Sequence, residues 1–146
     1  NNDKIILFAP DPVSNLNWKK KFNFDETSLW KSLSNVLNNN FSDKSIIVLV
    51  KLHPNQKKDY IRNVIFDNKI KNFVVVDSAD TNSLIYFSDI IIGMFSSLLI
   101  EADVFNKKIV RFLPSNILSD PLESSNIGKR CINEKELFKY LNNILC

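Results

Sequence analysis

The run Asp89–Pro114, DIIIGMFSSLLIEADVFNKKIVRFLP, limits the possible folds more than any other part of this chain. Asp89–Gly93 is β-branched and apolar without alternation, the pattern of a strand buried on both faces of a parallel sheet. Gly93 ends it. Ser96 or Ser97 then offers a side-chain oxygen to cap a helix beginning near Leu98, and Asn106 is placed to close that helix in a left-handed turn. Ile109–Leu113 predicts the next strand.

A strand that passes through a Gly/Ser turn into a helix leaves amide N–H groups unpaired at the rim of the sheet, together with the positive end of the helix dipole. This is the outline of a phosphate site. The helix is apolar almost all round, through Leu98, Leu99, Ile100, Ala102, Val104 and Phe105, so its polar side chains need a reason. Ser97 and Glu101 lie one helical turn apart on a shared face. A hydroxyl at the cap and a carboxylate one turn on can bind a phosphate and the two hydroxyls of a ribose, since a carboxylate accepts both O–H donors. The alternative is that Ser97 only caps and Glu101 is only solvated.

At 146 residues, 45% hydrophobic and 24% charged, the chain is long enough for one full core and too short for two ordinary domains. A net charge of +3 suits an anionic ligand, but no basic tract with interleaved aromatics is present, so nucleic acid is not an expected partner. Cys131 and Cys146 are too few for a disulfide framework and fit a reducing compartment. His53 is the single histidine, and no metal-ligand spacing occurs. No apolar run reaches the length of a membrane span, and no basic segment followed by an apolar one opens the chain, which predicts a soluble domain. The chain starts at Asn1 and enters a strand within a few residues, as expected of a domain cut from a longer protein. With only 2 glycines against abundant asparagine, Asn is expected at turn positions that Gly fills elsewhere.

Lys4–Ala9 predicts a first buried strand, broken by Pro10-Asp11-Pro12, and a polar loop holding Trp18 follows through Lys21. Asp25 caps a helix over Glu26–Asn38 with Leu29, Trp30, Leu33, Val36 and Leu37 on its inner face, stopped by Asn38-Asn39-Asn40. Ser45–Leu52 is the strongest strand and runs directly into His53-Pro54-Asn55. A helix over Gln56–Phe66 would turn Tyr60, Ile61, Val64 and Ile65 inward, and a strand at Phe73–Val76 follows. Asp80 caps Thr81–Phe87. After Pro114 comes a loop with turns at Pro121, Glu123 and Gly128, then a short edge strand at Arg130–Ile132. Asn133 caps a last amphipathic helix with Leu137, Phe138, Leu141, Ile144 and Leu145 on one side. This alternation predicts an α/β fold: a three-layer sandwich with a Rossmann-like open parallel sheet of five or six strands.

In such a sheet a ligand sits outside the C-terminal strand ends, where strand order reverses. With the order 3-2-1-4-5, the segments Pro10–Ser14, His53–Asn55 and Gly93–Ser97 line one crevice. Strands two and four flank strand one, so their ends lie about 10 Å apart, a span that a pyrophosphate or a phosphate plus sugar can bridge. His53 ends a buried strand, is followed by Pro54, which stops that strand, and reaches the rim where the serines also emerge. It can donate a hydrogen bond to a phosphate oxygen and, as imidazolium, stabilise charge on a departing phosphate. Its alternative role is to hold the strand-to-helix turn through a backbone bond.

VLVKLHPN at Val48–Asn55, followed by SDIIIGMFSSLLIEADVFNKKIVRF at Ser88–Phe112, resembles the C-terminal, nucleotide-binding half of a GT-B fold glycosyltransferase. Within that fold it is similar to bacterial groups pairing a His-Pro with a Ser-Ser motif: sialyltransferases, polysialyltransferases and the CDP-glycerol glycerophosphotransferases of teichoic acid synthesis, with related capsule proteins. The resemblance implies His53 as the catalytic residue at the donor phosphate, Ser96 and Ser97 on phosphate, and Glu101 on the ribose. Pro54, Asn55, Gly93 and Phe95 complete the implied donor site. Met94-Phe95 before the serines and Asn106-Lys107-Lys108 in place of a Gly-Lys-Pro turn depart from many relatives.

The expected function is therefore donor-nucleotide binding in a transferase of surface polysaccharide biosynthesis. The donor is a CMP-, CDP- or UDP-linked sugar or polyol, and the scheme requires neither a cofactor nor a metal. A GT-B enzyme keeps its acceptor site, and commonly its base, in an N-terminal domain, so residues 1–146 alone are expected to bind donor without turning it over. The implied location is cytoplasmic, with peripheral association at the inner membrane face. Two rivals stand beside this reading. One is a UDP-N-acetylglucosamine 2-epimerase-like domain, which needs further carboxylates such as Asp11 and Glu123; the other is a non-catalytic module that meets a partner through Trp18, Phe22 and Phe24.

Overall fold

The computed structural model describes residues 3–67, 72–117 and 120–146. Leu118 and Ser119, in the loop after Pro114, and the side chain of Ser14 lie outside the described residues. Six strands, β1 (Lys4–Ala9), β2 (Ile46–Lys51), β3 (Phe73–Val76), β4 (Ile90–Gly93), β5 (Lys108–Phe112) and β6 (Lys129–Cys131), form one sheet in the order β3-β2-β1-β4-β5-β6. Every neighbouring pair is parallel. This is the expected architecture, and strand order reverses between β1 and β4.

That reversal sets which face each helix covers, because parallel crossovers are right-handed. Chain moving from β1 outward to β3 lays its helices on one face, whereas chain moving from β4 outward to β6 uses the other. The first face packs Ile6, Phe8, Val48, Val50, Ile90, Ile92 and Val110 against Leu29, Trp30 and Leu33 of α2 (Glu26–Asn40), Ile61 and Val64 of α3 (Lys58–Asp67), and Leu137 and Leu141 of α6 (Glu134–Leu145). The second packs Leu7, Ile91 and Ile109 against Leu84 and Ile85 of α4 (Thr81–Phe87), Leu99 and Ala102 of α5 (Ser97–Val104), and Leu122. Residues that alternate along one strand thus feed two cores, which is why the strands read as unbroken apolar runs.

Helix starts follow their caps. Asp25 accepts the Ser28 N–H at 2.9 Å while Ser28 Oγ accepts the Asp25 N–H at 3.4 Å, a capping box that opens α2. Asp25→Ala leaves the Ser28 N–H without this acceptor and is expected to lower stability by about 0.5–2 kcal/mol in urea unfolding. The helix runs through Asn40 rather than stopping at Asn38, since the Asn40 side chain donates back to the Val36 carbonyl at 2.9 Å. Asn17, Asn23, Asn72 and Asn106 all take positive φ, as Gly128 does, so Asn fills turn positions as expected.

Three local readings need correction. The segment after Pro12 is not a polar loop: Val13–Leu16 is a 3-10 turn, and Trp18–Phe22 forms α1. Five residues are too short to display a helical period, so tertiary packing, not local pattern, forms this helix. Trp18 and Phe24 are buried, with the Trp18 ring 5.5 Å from Phe95 and the Phe24 ring 6.2 Å from Phe112, so these aromatics do not form an exposed contact surface. Tyr60 does not point inward either; it is half exposed and its hydroxyl lies 3.0 Å from Thr27 Oγ1. A phenol at a helix edge reaches a polar partner more cheaply than it buries its hydroxyl.

Candidate functional site

β1 and β4 are paired so that Ala9 faces Gly93, and both strands stop at this level. Beyond them opens a cleft of about 330 Å³ at the topological switch point. It is lined by Pro10 and Asp11 after β1, His53 and Pro54 after β2, Thr81 at the start of α4, and Ser96, Ser97 and Glu101 of the α5 turn. The local sequence reasons for this convergence are simple. Pro10 and Pro54 forbid their strands from continuing, and Gly93 allows a close approach, because a Cβ there would meet the Ala9 carbonyl and Leu99 Cδ2 at 3.1 Å each.

His53 is held from three sides. Its N–H donates to Gln56 Oε1 at 2.8 Å, its carbonyl accepts the Gln56 N–H at 2.8 Å, and its Nδ1 accepts the Asn55 N–H at 3.1 Å. The backbone-bonding role weighed for His53 is therefore present, but it uses only one ring nitrogen. A nitrogen that accepts from an amide carries no proton, so the neutral ring is protonated on Nε2 and keeps that donor for a ligand. Asn55 supports the ring from behind and does not line the cleft.

Ser96 is the N-cap of α5, yet its side chain makes no capping bond. Its Oγ is shielded from solvent and has no partner among the described residues. An unpaired buried hydroxyl costs about 1–3 kcal/mol, which a ligand bond can recover. Leu99 N–H turns back to the Ser96 carbonyl at 3.1 Å, while the Ser97 and Leu98 N–H groups find no acceptor among the described residues. Ser97 and Glu101 are exposed at the mouth of the cleft.

One detail departs from the free phosphate loop that the motif suggests. Phe95 N–H is already taken by Asp11 Oδ2 at 3.1 Å, so the first amide of the turn binds a carboxylate of the chain itself. Burial pushes the Asp11 carboxyl above its ordinary range, opposed by the Phe95 amide, the nearby His53 and the Ser96 amide. Phe95 itself packs against Trp18, and Gly93 lies in the sheet, so neither lines the cleft although both shape it. Nor does Glu123, which sits 3.6 Å from Arg130. Of the two carboxylates an epimerase site was expected to use, only Asp11 is in place.

Sequence reading missed Thr81 and Gln56 as site residues; it put Asp11 on the crevice within Pro10–Ser14 but gave it no role other than an epimerase carboxylate. Beyond His53 a second recess of about 170 Å³ adjoins the cleft, lined among others by Lys51, Gln56, Lys58 and Asp77. Gln56 Nε2 has no partner among the described residues, and its orientation is certain because the His53 N–H can meet only the side-chain oxygen. Among the described residues no group of three or more His, Cys, Asp or Glu converges as for a metal ion, and no helix is long and apolar enough to cross a membrane.

The fold has solved counterparts. They include the UDP-GlcNAc 2-epimerase of Methanocaldococcus jannaschii in complex with UDP-GlcNAc and UDP, at 16% identity and a TM-score of 0.67 over 98% of this chain and 39% of that one. The wall teichoic acid polymerase TagF matches at 18% identity and 0.63, over 99% of this chain and 35% of that one. Thermosulfurimonas dismutans KpsC, a beta Kdo 2,7 transferase, matches at 15% identity and 0.59, over 92% of this chain and 40% of that one. The chain thus spans little more than a third of these proteins, and at such identities the likeness is one of fold, a Rossmann-like half of the GT-B architecture. Comparison with curated protein sequences gives no match. The model of the CDP-glycerol:poly(glycerophosphate) glycerophosphotransferase family matches residues 1–145, and the chain belongs to that family.

Proposed function

We propose that this domain binds the nucleotide-activated donor of a glycerophosphotransferase in bacterial surface-polymer synthesis, with CDP-glycerol as the donor that the family description favours. The observation that carries this reading is the convergence of His53, Ser96, Ser97 and Glu101 on one cleft at the switch point. The Ser97 and Leu98 amides, the unpaired Ser96 hydroxyl and the α5 dipole receive the diphosphate. Glu101 accepts the ribose hydroxyls, and the recess beside Gln56 takes the pyrimidine.

Transfer in this reading is attack by an acceptor hydroxyl on the glycerol-bearing phosphorus. The bond from that phosphorus to the bridging oxygen breaks, and CMP leaves with the electron pair. His53 Nε2–H stabilises the charge that develops on the leaving phosphate. The acceptor hydroxyl must lose its proton to a base, and we assign both that base and the acceptor site to an N-terminal domain of a longer two-domain protein. The activated donor is then the only small molecule this half needs. We place the whole protein in the cytoplasm, peripherally at the inner membrane face where a growing polymer is held.

Calorimetric titration with CDP, UDP, CMP and cytidine tests the reading. CDP is expected to bind well above cytidine, and His53→Gln should lower CDP affinity about ten- to a hundredfold, the loss of one charge-assisted hydrogen bond, while cytidine binding stays unchanged. Equal binding of CDP and cytidine would overturn the phosphate assignment.

A further inference from the structure

An anion site is expected to hold no fixed negative charge at its floor, but this one does. Asp11 lines the same cleft as His53 and the serine turn, is buried, and is bonded to the Phe95 amide at 3.1 Å. The other charged or titratable groups lining the cleft are Lys51 and His53 from β2 and its loop and Glu101 from α5; α4 contributes only Thr81. None of them forms an ion pair with Asp11. The loop is tied down as well, since the Asp11 carbonyl accepts the Val13 N–H at 2.9 Å.

We propose that Asp11 takes up a proton when the donor diphosphate enters the cleft, and so couples donor binding to pH while it positions the Ser-Ser turn. This rests on the nucleotide reading above. In the empty cleft the carboxylate is stabilised by turn amides and by the field of His53. A bound phosphate draws on the same His53 and sets a second anion in the cleft that the buried Asp11 lines. Two anions in such contact do not both stay ionised. A phosphodiester is far the stronger acid, so the proton, taken from solvent, goes to Asp11. Oδ2 accepts the Phe95 N–H, and protonation gives the carboxyl an O–H that can donate to the phosphate. Repulsion becomes a hydrogen bond, and the proton returns to solvent when the product leaves. Burial already biases the group this way by raising its pKa in the free protein.

The probe is CDP-glycerol, whose diphosphate diester has no group that titrates near neutrality. Calorimetry in two buffers of different ionisation heat reads the protons absorbed per molecule bound. Wild type should absorb protons and bind more tightly as pH falls through the interval between the free and the donor-bound titration of Asp11, by up to about tenfold per pH unit. Asp11→Asn keeps an oxygen for the Phe95 amide and supplies a permanent N–H donor. It should bind more tightly than wild type at the upper end of that interval and lose Asp11's share of the uptake. The same difference between Asp and Asn should persist in a His53→Gln background. In wild type, the carboxyl carbon resonance of Asp11 should titrate at higher pH with CDP-glycerol than without, a readout that needs no variant. Equal uptake in wild type and Asp11→Asn, or an unmoved Asp11 titration in saturated protein, would overturn the proposal and leave Asp11 a purely structural residue. Failure of CDP-glycerol to bind at any pH would overturn the nucleotide reading along with it.

Discussion

Asp120→Ala is expected to remove about 3–5 kcal/mol of folding stability, a large fraction of the total for a domain of this size. The side chains of Arg111 and Asp120 are 5% and 0% exposed, and Arg111 Nη1 donates to both carboxylate oxygens at 2.7 and 2.8 Å. Arg111 Nε donates to the Ile127 carbonyl at 3.0 Å, and Asp120 also accepts the Leu122 N–H at 3.0 Å. Arg130 stands 3.7 Å away on the other side of Asp120 and bonds the carbonyls of Leu113, Pro114 and Ile117. Removing the carboxylate strands the Arg111 guanidinium in the interior without its counter-charge. Arg111→Met combined with Asp120→Leu leaves no such charge and should recover most of the loss. Urea unfolding midpoints at constant m-value measure both. A loss under about 1 kcal/mol from Asp120→Ala would mean that the pair behaves like an exposed one. The effect bears on the site because this loop carries Leu122 onto the face where Leu99 and Ala102 of α5 pack.

Glu101→Gln is expected to lower affinity for a ribonucleotide about ten- to a hundredfold, since a charge-assisted bond contributes about 1.5–3 kcal/mol. Glu101 is exposed and lines the cleft, and its side chain has no hydrogen bond or ion pair to give up among the described residues, so folding stability should hardly change. A 2′,3′-dideoxynucleotide should bind wild type and variant almost equally, because the hydroxyls that Glu101 would hold are missing. Loss of stability with unchanged affinity would make Glu101 a structural residue and remove the ribose from this position.

His53 and the Ser96-Ser97 turn could be placed on one rim before any coordinates because each follows an unbroken apolar strand, and such strands admit few arrangements. A parallel sheet with right-handed crossovers brings the ends of β1, β2 and β4 together. The roles of Asp11 and Gln56 could not be read in the same way. Asp11 within Pro10-Asp11-Pro12 has the composition of any turn, and only the pairing of β1 with β4 sets it beside the Phe95 amide. Gln56 looks like an ordinary solvated residue until its oxygen is seen to hold the His53 backbone.

Periodicity and caps are local properties, and they determined the strands, most helix starts, the left-handed asparagines and the α/β class from sequence alone. Burial is not local, because it depends on what the chain lays over a residue from elsewhere. Tertiary structure therefore decided that Trp18 and Phe24 enter the core, that Ile100, Val104 and Phe105 of an apolar helix stay exposed, and that Arg111 finds Asp120 inside. It also decided the electrostatics of the cleft. A carboxylate and a phosphate-binding turn repel or cooperate according to a separation of a few ångströms between residues far apart in the chain, and no spacing along the sequence encodes that distance.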